Sequence, residues 1–237
     1  GTIDLDTEIL DENGEPVILE TGTLEFKDVT FSYPDSSGEV VLSNINLKIN
    51  KGEKIGVLGT TGSGKTTLVK LIARFYDTTS GNVYIDGIDV KDYKFSALRN
   101  KVAVVLQKSE LFSGTIKDNI CWGKEDATME EVEYAAKIAQ ADTFINGFVD
   151  KYDTYVAEKG ASLSGGQKQR ISIARALIKK PEILVFDDST SALDLQTEAK
   201  LYQAINNDLK DLTIITIAQR VASVKNAENS LSIFSFS

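Results

Sequence analysis

One segment of eight residues constrains this fold more than any other, a glycine-rich turn with the pattern G-x-x-x-x-G-K-[ST]. The turn follows a short apolar run and precedes a helical pattern, so it joins a buried strand to a helix. Glycines let backbone N–H groups curl around an anion, and the start of the following helix adds positive partial charge. The turn therefore predicts a site for the phosphates of a nucleoside triphosphate. Its residues are Gly59, Thr60, Thr61, Gly62, Ser63, Gly64, Lys65 and Thr66.

Two side chains of this turn have predicted roles. Lys65 reaches the β- and γ-phosphates, and the Thr66 hydroxyl is a ligand of Mg²⁺. The alternative is a glycine-rich turn that matches the pattern by chance. The apolar strand directly before it and the amphipathic helix directly after it argue against chance.

The apolar pattern predicts an α/β fold. Four short, nearly unbroken apolar runs are typical of parallel strands that are covered on both faces by helices. Apolar and polar residues alternate near the start of the chain, which indicates an antiparallel β layer. The stretch from about 108 to 165 shows no strong strand pattern and is predicted to be an inserted helical subdomain. The pattern thus predicts an α/β core with an antiparallel β layer and a helical insertion. The four runs are 55–58, 102–106, 183–186 and 213–218.

An aspartate pair ends the third of these runs. Asp187 follows four apolar residues, where a carboxylate at the end of a buried strand can hold Mg²⁺. Asp188 comes next, and there it can act as a base that faces the attacking water. An isolated match of four apolar residues and an aspartate is weak, so the interpretation depends on the phosphate turn.

A second glycine-rich helix start lies at 163–167. Ser164 is the expected N-cap, and Gln167 is its reciprocal partner three residues on. Gly165 and Gly166 are unfavourable in a helix, each by up to about 1 kcal/mol relative to Ala. They either permit close helix packing or leave bare backbone for a ligand such as a γ-phosphate.

Leu163-Ser164-Gly165-Gly166-Gln167, which begins 98 residues after Lys65, resembles the signature motif of ATP-binding cassette (ABC) ATPases. Other segments match the family in order and spacing between about 24 and 227. Tyr33 resembles the aromatic residue that stacks on adenine, and Gln107 resembles the Q-loop glutamine, which serves both catalysis and Mg²⁺ binding. The run 191–194 resembles the D-loop. In the same way the phosphate-binding residues extend to Thr67. The segment 110–116 resembles exporters rather than importers.

The resemblance implies a fold, which is a P-loop NTPase (RecA-like) α/β core with an antiparallel β subdomain and an inserted α-helical subdomain. It also implies a mechanism and partners. Two nucleotide-binding domains associate head to tail, so each ATP with its Mg²⁺ lies between one chain's phosphate turn and the other's signature helix. ATP joins the halves, hydrolysis releases them, and the motion passes near Gln107 to transmembrane domains. The full-length protein is then expected at the cytoplasmic face of the cell membrane, and this fragment is expected to be soluble.

Two residues depart from the family pattern at sensitive positions. The family has Glu where this chain has Asp188, and His where this chain has Gln219. Gln219 can donate a hydrogen bond to a γ-phosphate but cannot become cationic. Neutral drift is the alternative for either change alone. Together they predict a degenerate site, an isolated domain of weak or no activity, and a different partner chain that supplies the Glu and His.

Composition excludes several function classes. The chain has no histidine and one cysteine, which rules out imidazole catalysis, His-ligated metals and an internal disulfide. No run approaches the ~20 apolar residues of a membrane span, and no signal-peptide pattern begins the chain. The net charge is −9, and the sequence has no basic stripe for nucleic acid.

The two ends of the chain are predicted to lie outside the regular domain. Residues 1–22 contain seven acids and no Lys or Arg, and they are interpreted as a linker from a missing membrane domain. The domain itself then spans 23–237. The last eight residues alternate like a strand, but the family's usual closing elements do not follow, so we expect a truncated C-terminus.

Three rival functions remain at this stage. A soluble, non-transport ABC ATPase usually has coiled-coil arms or two cassettes, and neither is present. A regulatory module would bind ATP only to dimerise. A P-loop kinase has no need for the segment 163–167.

Overall fold

The computed structural model describes residues 22–59, 62, 64–160, 162–218 and 231–236. The strands are β1 Leu24–Ser32, β2 Val40–Ile49, β3 Lys54–Gly59, β4 Ser80–Ile85, β5 Ile88–Asp89, β6 Val102–Leu106, β7 Gly114–Thr115, β8 Tyr155–Val156, β9 Ile183–Asp187, β10 Thr213–Ala218 and β11 Leu231–Phe236. The helices are α1 Lys65–Ile72, α2 Phe95–Lys101, α3 Ile116–Cys121, α4 Met129–Ile138, α5 Asp142–Asn146, α6 Gly165–Leu177 and α7 Leu195–Asp208.

A five-stranded parallel sheet forms the centre, in the order β11-β3-β10-β9-β6. The four predicted parallel strands are confirmed, and the predicted C-terminal strand joins the edge beside β3. Alternate residues of β9 enter two separate apolar clusters: Ile183 and Val185 lie in one, and Leu184 and Phe186 in the other. This two-sided burial explains why the runs are unbroken rather than alternating.

The predicted antiparallel layer is confirmed as a second sheet in the order β2-β1-β4-β5. Strand β4 completes this layer and has no clear alternation in sequence. Residue Gly81 in β4 takes a φ of 71°, and a Cβ there would lie 2.1 Å from the Asp28 carbonyl oxygen. Only glycine allows the two strands to approach so closely.

In chain order, helices α3, α4 and α5 and the short paired strands β7 and β8 come between β6 and α6. The T-x-x-E pattern of Thr128 and Glu131 predicts a capping box and a helix that reaches about Ala141, and the box is present at the start of α4. The helix ends three residues earlier, at Ile138, because Gln140 takes a left-handed φ of 61°. The bounds of a helical subdomain at about 108–165 stay a prediction.

One detail of the helical pattern after the phosphate turn was wrong. The i, i+3, i+4, i+7 spacing of Leu68, Leu71, Ile72 and Phe75 predicts one buried helix face, but the helix ends at Ile72 and Phe75 is 63% exposed. Arg74 takes a φ of 53°, and this left-handed residue turns the chain away from the core.

The parallel sheet places the candidate site residues at one edge. Parallel strands end on the same side, and the register pairs Asp187 with Leu106 on one side and with Ile217 on the other. Strand β3 ends there at Gly59 and β10 ends at Ala218. Among the described residues, no helix combines the length and apolar character that crossing a bilayer requires.

Candidate nucleotide site

The phosphate turn begins at the end of β3 and leads into α1. Gly62 and Gly64 take left-handed φ values of 87° and 88°, which favour glycine. A Cβ on Gly64 would lie 2.7 Å from Leu42 Cδ2, so packing also requires glycine there. A Cβ on Gly62 would meet no described atom within 4 Å. Thr60, Thr61 and Ser63 lie outside the described residues.

Lys65 opens α1 and is 7% exposed. Its Nζ donates a hydrogen bond to the Gly59 carbonyl oxygen, across the turn. Burial lowers the pKa of this ammonium, and the negative charges of Asp187 and Asp188 oppose the shift. The fold thus brings the predicted phosphate lysine and the predicted carboxylates into one electrostatic environment.

The two aspartates differ in backbone setting. Asp187 is the last residue of β9, and burial together with the charge of Asp188 raises its pKa, which Lys65 opposes. Asp188 has a left-handed φ of 50°, and its N–H donates to the Ile217 carbonyl oxygen at 2.8 Å. The Ser191 hydroxyl donates to the Asp188 carbonyl oxygen at 2.8 Å. Backbone contacts therefore hold Asp188 from both sides.

Two further predicted residues, Thr66 and Gln107, lie at this edge of the sheet. Thr66 is exposed in the first turn of α1, and Gln107 is exposed directly after β6. Because Leu106 is in register with Asp187, Gln107 begins next to the strand end that carries the carboxylate. Gln219 lies outside the described residues and follows Ala218, the last residue of β10.

Tyr33 belongs to an aromatic cluster beside α1. Its ring centroid lies 4.9 Å from that of Phe31 and 5.2 Å from that of Tyr76, both edge to face. Its hydroxyl is 2.9 Å from the hydroxyl of Thr67, and Lys70 Nζ lies 5.1 Å from the ring centroid. The predicted adenine-stacking residue is therefore held to the helix that starts at the phosphate turn. Sequence patterns gave no indication of Lys70 or Tyr76.

The second glycine-rich helix start has the predicted capping box: Ser164 Oγ accepts from the Gln167 N–H, and Gln167 Oε1 accepts from the Ser164 N–H. A Cβ on Gly166 would lie 3.1 Å from the Ala192 carbonyl oxygen, so close packing explains this glycine. A Cβ on Gly165 would meet nothing within 4 Å. The chain's own packing thus explains one glycine, while the backbone at the other faces open space.

Two polar residues further along α6 were not singled out from the sequence. Gln169 is 1% exposed and donates to the Leu106 carbonyl oxygen at 3.2 Å. Arg175 donates to the backbone carbonyls of Asn119 and Glu110 and lies over the Phe112 ring. Their partners are more than 50 residues away in sequence, so no local pattern could have identified them.

A cleft of about 690 Å³ lies where α2 and β6 meet α3 and α6. Its rim exposes large apolar side chains, which include Phe112 at 46% and Trp122 at 66%. These two rings pack together with centroids 4.6 Å apart. The charged residues of the lining are mostly basic: Arg99, Lys108, Arg175 and Lys179, with Glu110 as the acid.

Comparison with known proteins gives consistent matches. A family model described as ABC transporter matches residues 42–191. A putative multidrug export ATP-binding/permease protein of Bacillus subtilis is 48% identical over 87% of this chain and 36% of its own length. ABC transporter B family member 19 of Arabidopsis thaliana is 45% identical over 88% of this chain and 17% of its own length.

A solved structure, a bacterial Atm1-family ABC exporter with ATP bound, has a TM-score of 0.86 and 33% identity. The match covers 100% of this chain and 39% of that one. The chain thus spans about a third of the length of the first of these relatives and less of others.

Proposed function

The chain belongs to the ABC transporter family, and we propose that it is the nucleotide-binding domain of an exporter, which binds and hydrolyses ATP to drive transport. The observation that carries this proposal is the meeting of the phosphate turn, Asp187 and the residue before Gln107 at one edge of the sheet. The relatives that are named for multidrug export support the direction of transport.

The chain's own residues bind the triphosphate in this proposal. Backbone N–H groups of 59–64 surround the phosphates, because the glycines leave that backbone bare. Lys65 leaves the Gly59 carbonyl and pairs with the β- and γ-phosphates. The Thr67 hydroxyl, at the start of α1, is a further group that binds the phosphates, and Tyr33 stacks on adenine.

The donor set fits a magnesium ion. Mg²⁺ takes oxygen ligands and is usually held by one or two protein groups together with phosphates and waters. Thr66, Gln107 and Asp187 offer a hydroxyl, an amide oxygen and a carboxylate at the same strand edge. When bound, the ion neutralises charge that develops on the phosphates.

A second chain completes the site in a head-to-tail dimer. Its phosphate turn approaches Ser164, Gly165, Gly166 and Gln167 of this chain, where the start of α6 directs backbone N–H groups and positive partial charge outward. The space beside Gly165 supports this arrangement, since no described residue comes within 4 Å of a Cβ built there.

We further propose that this chain's own site hydrolyses ATP slowly. The Asp188 carboxylate lies one C–C bond, about 1.5 Å, further back than that of Glu. Its backbone is held by Ile217 and Ser191, so a shift of the main chain toward the phosphate is disfavoured. Gln219 cannot carry positive charge. The natural partner is then a different chain with Glu and His at these positions.

Transmembrane domains are the second class of partner, and the cleft beside Trp122 is their proposed docking surface. Exposed aromatic rings and a basic lining suit an amphipathic segment that carries acidic residues. Helix α6 links the cleft to the nucleotide, because Ser164 caps one end and Arg175 contacts the cleft near the other. In this proposal the docked domain lies at the cytoplasmic face of the membrane.

ATP binding and turnover test the proposal. Equilibrium dialysis should show that the chain binds ATP with Mg²⁺ and that Lys65→Ala loses this binding. The unmodified chain should turn over slowly, and Asp188→Glu combined with Gln219→His should raise the rate about tenfold or more, since a misplaced general base forfeits a factor of ~10² to 10⁴. Asp150→Glu combined with Gln203→His makes the same substitutions at exposed positions and should change nothing.

Each failure has a distinct meaning. Absence of ATP binding would contradict the assignment itself. Ordinary turnover by the unmodified chain would contradict the degenerate site alone. If ATP drives association but no combination with a partner chain hydrolyses it, the regulatory dimerisation module is the better description.

A further inference from the structure

Gln169 is a buried polar residue with two contacts in one loop. Its side chain is 1% exposed on α6, and both ends of its amide are used. The Nε2 group donates to the Leu106 carbonyl oxygen at 3.2 Å, and Oε1 accepts from the Ser109 hydroxyl. A buried amide left without partners is strongly unfavourable, so these two contacts hold the loop against the helix.

The two partners of Gln169 lie on either side of Gln107. Leu106 precedes it as the last residue of β6, and Ser109 follows two residues later. Gln107 itself is exposed next to the strand end of Asp187. The backbone on both sides of Gln107 is therefore attached to α6 through one side chain.

The same helix begins one turn earlier at the glycine-rich tip. Ser164 caps it, and Gly166 packs close to the Ala192 carbonyl oxygen. Helix α6 is rigid over this short distance because its backbone hydrogen bonds are continuous. A displacement of the loop at Gln107 is thus transmitted to the tip.

We infer that Gln169 is a positioning residue that couples this chain's own nucleotide site to the helix tip that it offers to the partner chain. The inference rests on the proposed function, since Gln107 and the tip serve two different ATP molecules in that dimer. Glutamine suits this role because its amide donates and accepts at once, whereas Glu has no donor and Met has neither group.

Trp122 provides a reporter for the loop. It is the only tryptophan of the chain, and it packs against Phe112, five residues after Gln107. ATP affinity is measured by dialysis in EDTA and in Mg²⁺, together with Trp122 emission. For Gln169→Met we expect affinity in EDTA within about twofold of wild type, and a Mg²⁺-dependent emission change that falls about fivefold.

ATP also drives the association of chains, which sedimentation velocity measures. This association should weaken by a similar factor in Gln169→Met. The matched control is Gln140→Met. The Gln140 amide also donates to backbone carbonyls, but these belong to Lys137 and Ile138, outside the loop around Gln107. This control should behave like wild type.

Ser109→Ala removes one of the two contacts from a half-buried position and tests the inference even if Gln169→Met fails to fold. Ser109→Ala should reduce the Mg²⁺-dependent emission change partly. The double variant Ser109→Ala with Gln169→Met should reduce that change no further than Gln169→Met alone.

A wild-type emission response in Gln169→Met or in Ser109→Ala overturns the inference, as does the absence of any response in wild type that binds ATP. Loss of ATP binding in wild type would instead contradict the proposed function.

Discussion

Gly165 and Gly166 are neighbours in α6 whose surroundings differ. The backbone at Gly166 lies close to the Ala192 carbonyl oxygen, and the backbone at Gly165 faces open space. A glycine is unfavourable in a helix unless something needs to approach it. Packing within this chain therefore accounts for Gly166, and the proposed approach of a second chain accounts for Gly165.

Substituting each glycine by alanine should separate these two needs. Gly166→Ala places a Cβ 3.1 Å from a backbone oxygen and should lower the free energy of unfolding by about 1 to 2 kcal/mol. Gly165→Ala should leave the stability unchanged or raise it by up to about 1 kcal/mol. It should nevertheless weaken the ATP-driven association of chains.

Urea denaturation measures the stability of both variants, and sedimentation with ATP measures the association. Equal destabilisation by the two substitutions would contradict this account. So would a Gly165→Ala chain that associates like wild type.

The sequence predicted those parts of the candidate site in which a local motif fixes the geometry. The turn up to Lys65 and the strand that ends at Asp187 meet as predicted, because both follow parallel strands of one sheet. Gln169 and Lys70 could not be predicted. Their contacts depend on the packing of distant segments, and a polar residue within a helix is usually exposed.

At the scale of elements, a buried charged group joins the two sheets. Lys101 at the end of α2 donates to Asp86 at 2.7 Å and to Glu182 at 2.8 Å. Asp86 lies between β4 and β5, and Glu182 directly precedes β9. Burial acts to lower the pKa of Lys101, and its hydrogen bonds to both carboxylates outweigh this, so the pKa lies above 10.5.

Removing this ammonium should destabilise the junction strongly. Lys101→Met leaves the carboxylate of Asp86, whose side chain is 1% exposed, without its counter-charge, so we expect a loss of about 3 to 5 kcal/mol in urea denaturation. The control Lys180→Met breaks an exposed pair with Glu131 at 3.4 Å and should cost under about 1 kcal/mol.

The pH dependence of this loss has a defined sign. Burial raises the pKa of Glu182 even beside Lys101. In Lys101→Met this carboxyl loses its counter-charge and binds a proton more readily in the folded state, so the deficit of the variant should shrink as pH falls. In wild type the contribution of Lys101 is complete below its ordinary pKa and is lost as pH rises above the raised value. A deficit that is equal for both Lys→Met variants would contradict the role of the junction.

The elements that could be predicted have a strong period or a cap. The core strands bury both faces, which produces unbroken apolar runs, and α4 begins at a capping box. Strand β4 and helix α2 were not predicted. The fit of β4 depends on the close approach of Gly81 to β1, which belongs to the assembled sheet rather than to a local pattern.

At the scale of the whole molecule, most of the net charge lies at one end. Residues 1–21 carry seven of the 35 acids and no Lys or Arg, which leaves 28 acids against 26 basic residues in the rest of the chain. Gly22 is the first described residue, and its carbonyl oxygen accepts from the Thr213 hydroxyl at 2.6 Å. The Thr23 N–H donates to Asp86 at 3.0 Å.

These contacts predict where the folded unit starts. Deletion of residues 1–21 should change the melting temperature by less than about 2 °C, because the contacts of Gly22 and Thr23 are kept. Deletion of residues 1–23 removes both hydrogen bonds and leaves the buried Thr213 hydroxyl and Asp86 short of a partner. At about 1 kcal/mol for each bond, the melting temperature should fall by about 4 to 8 °C. Calorimetry of the two truncated chains makes the comparison, and an equal effect of both deletions would show that the unit does not begin at Gly22.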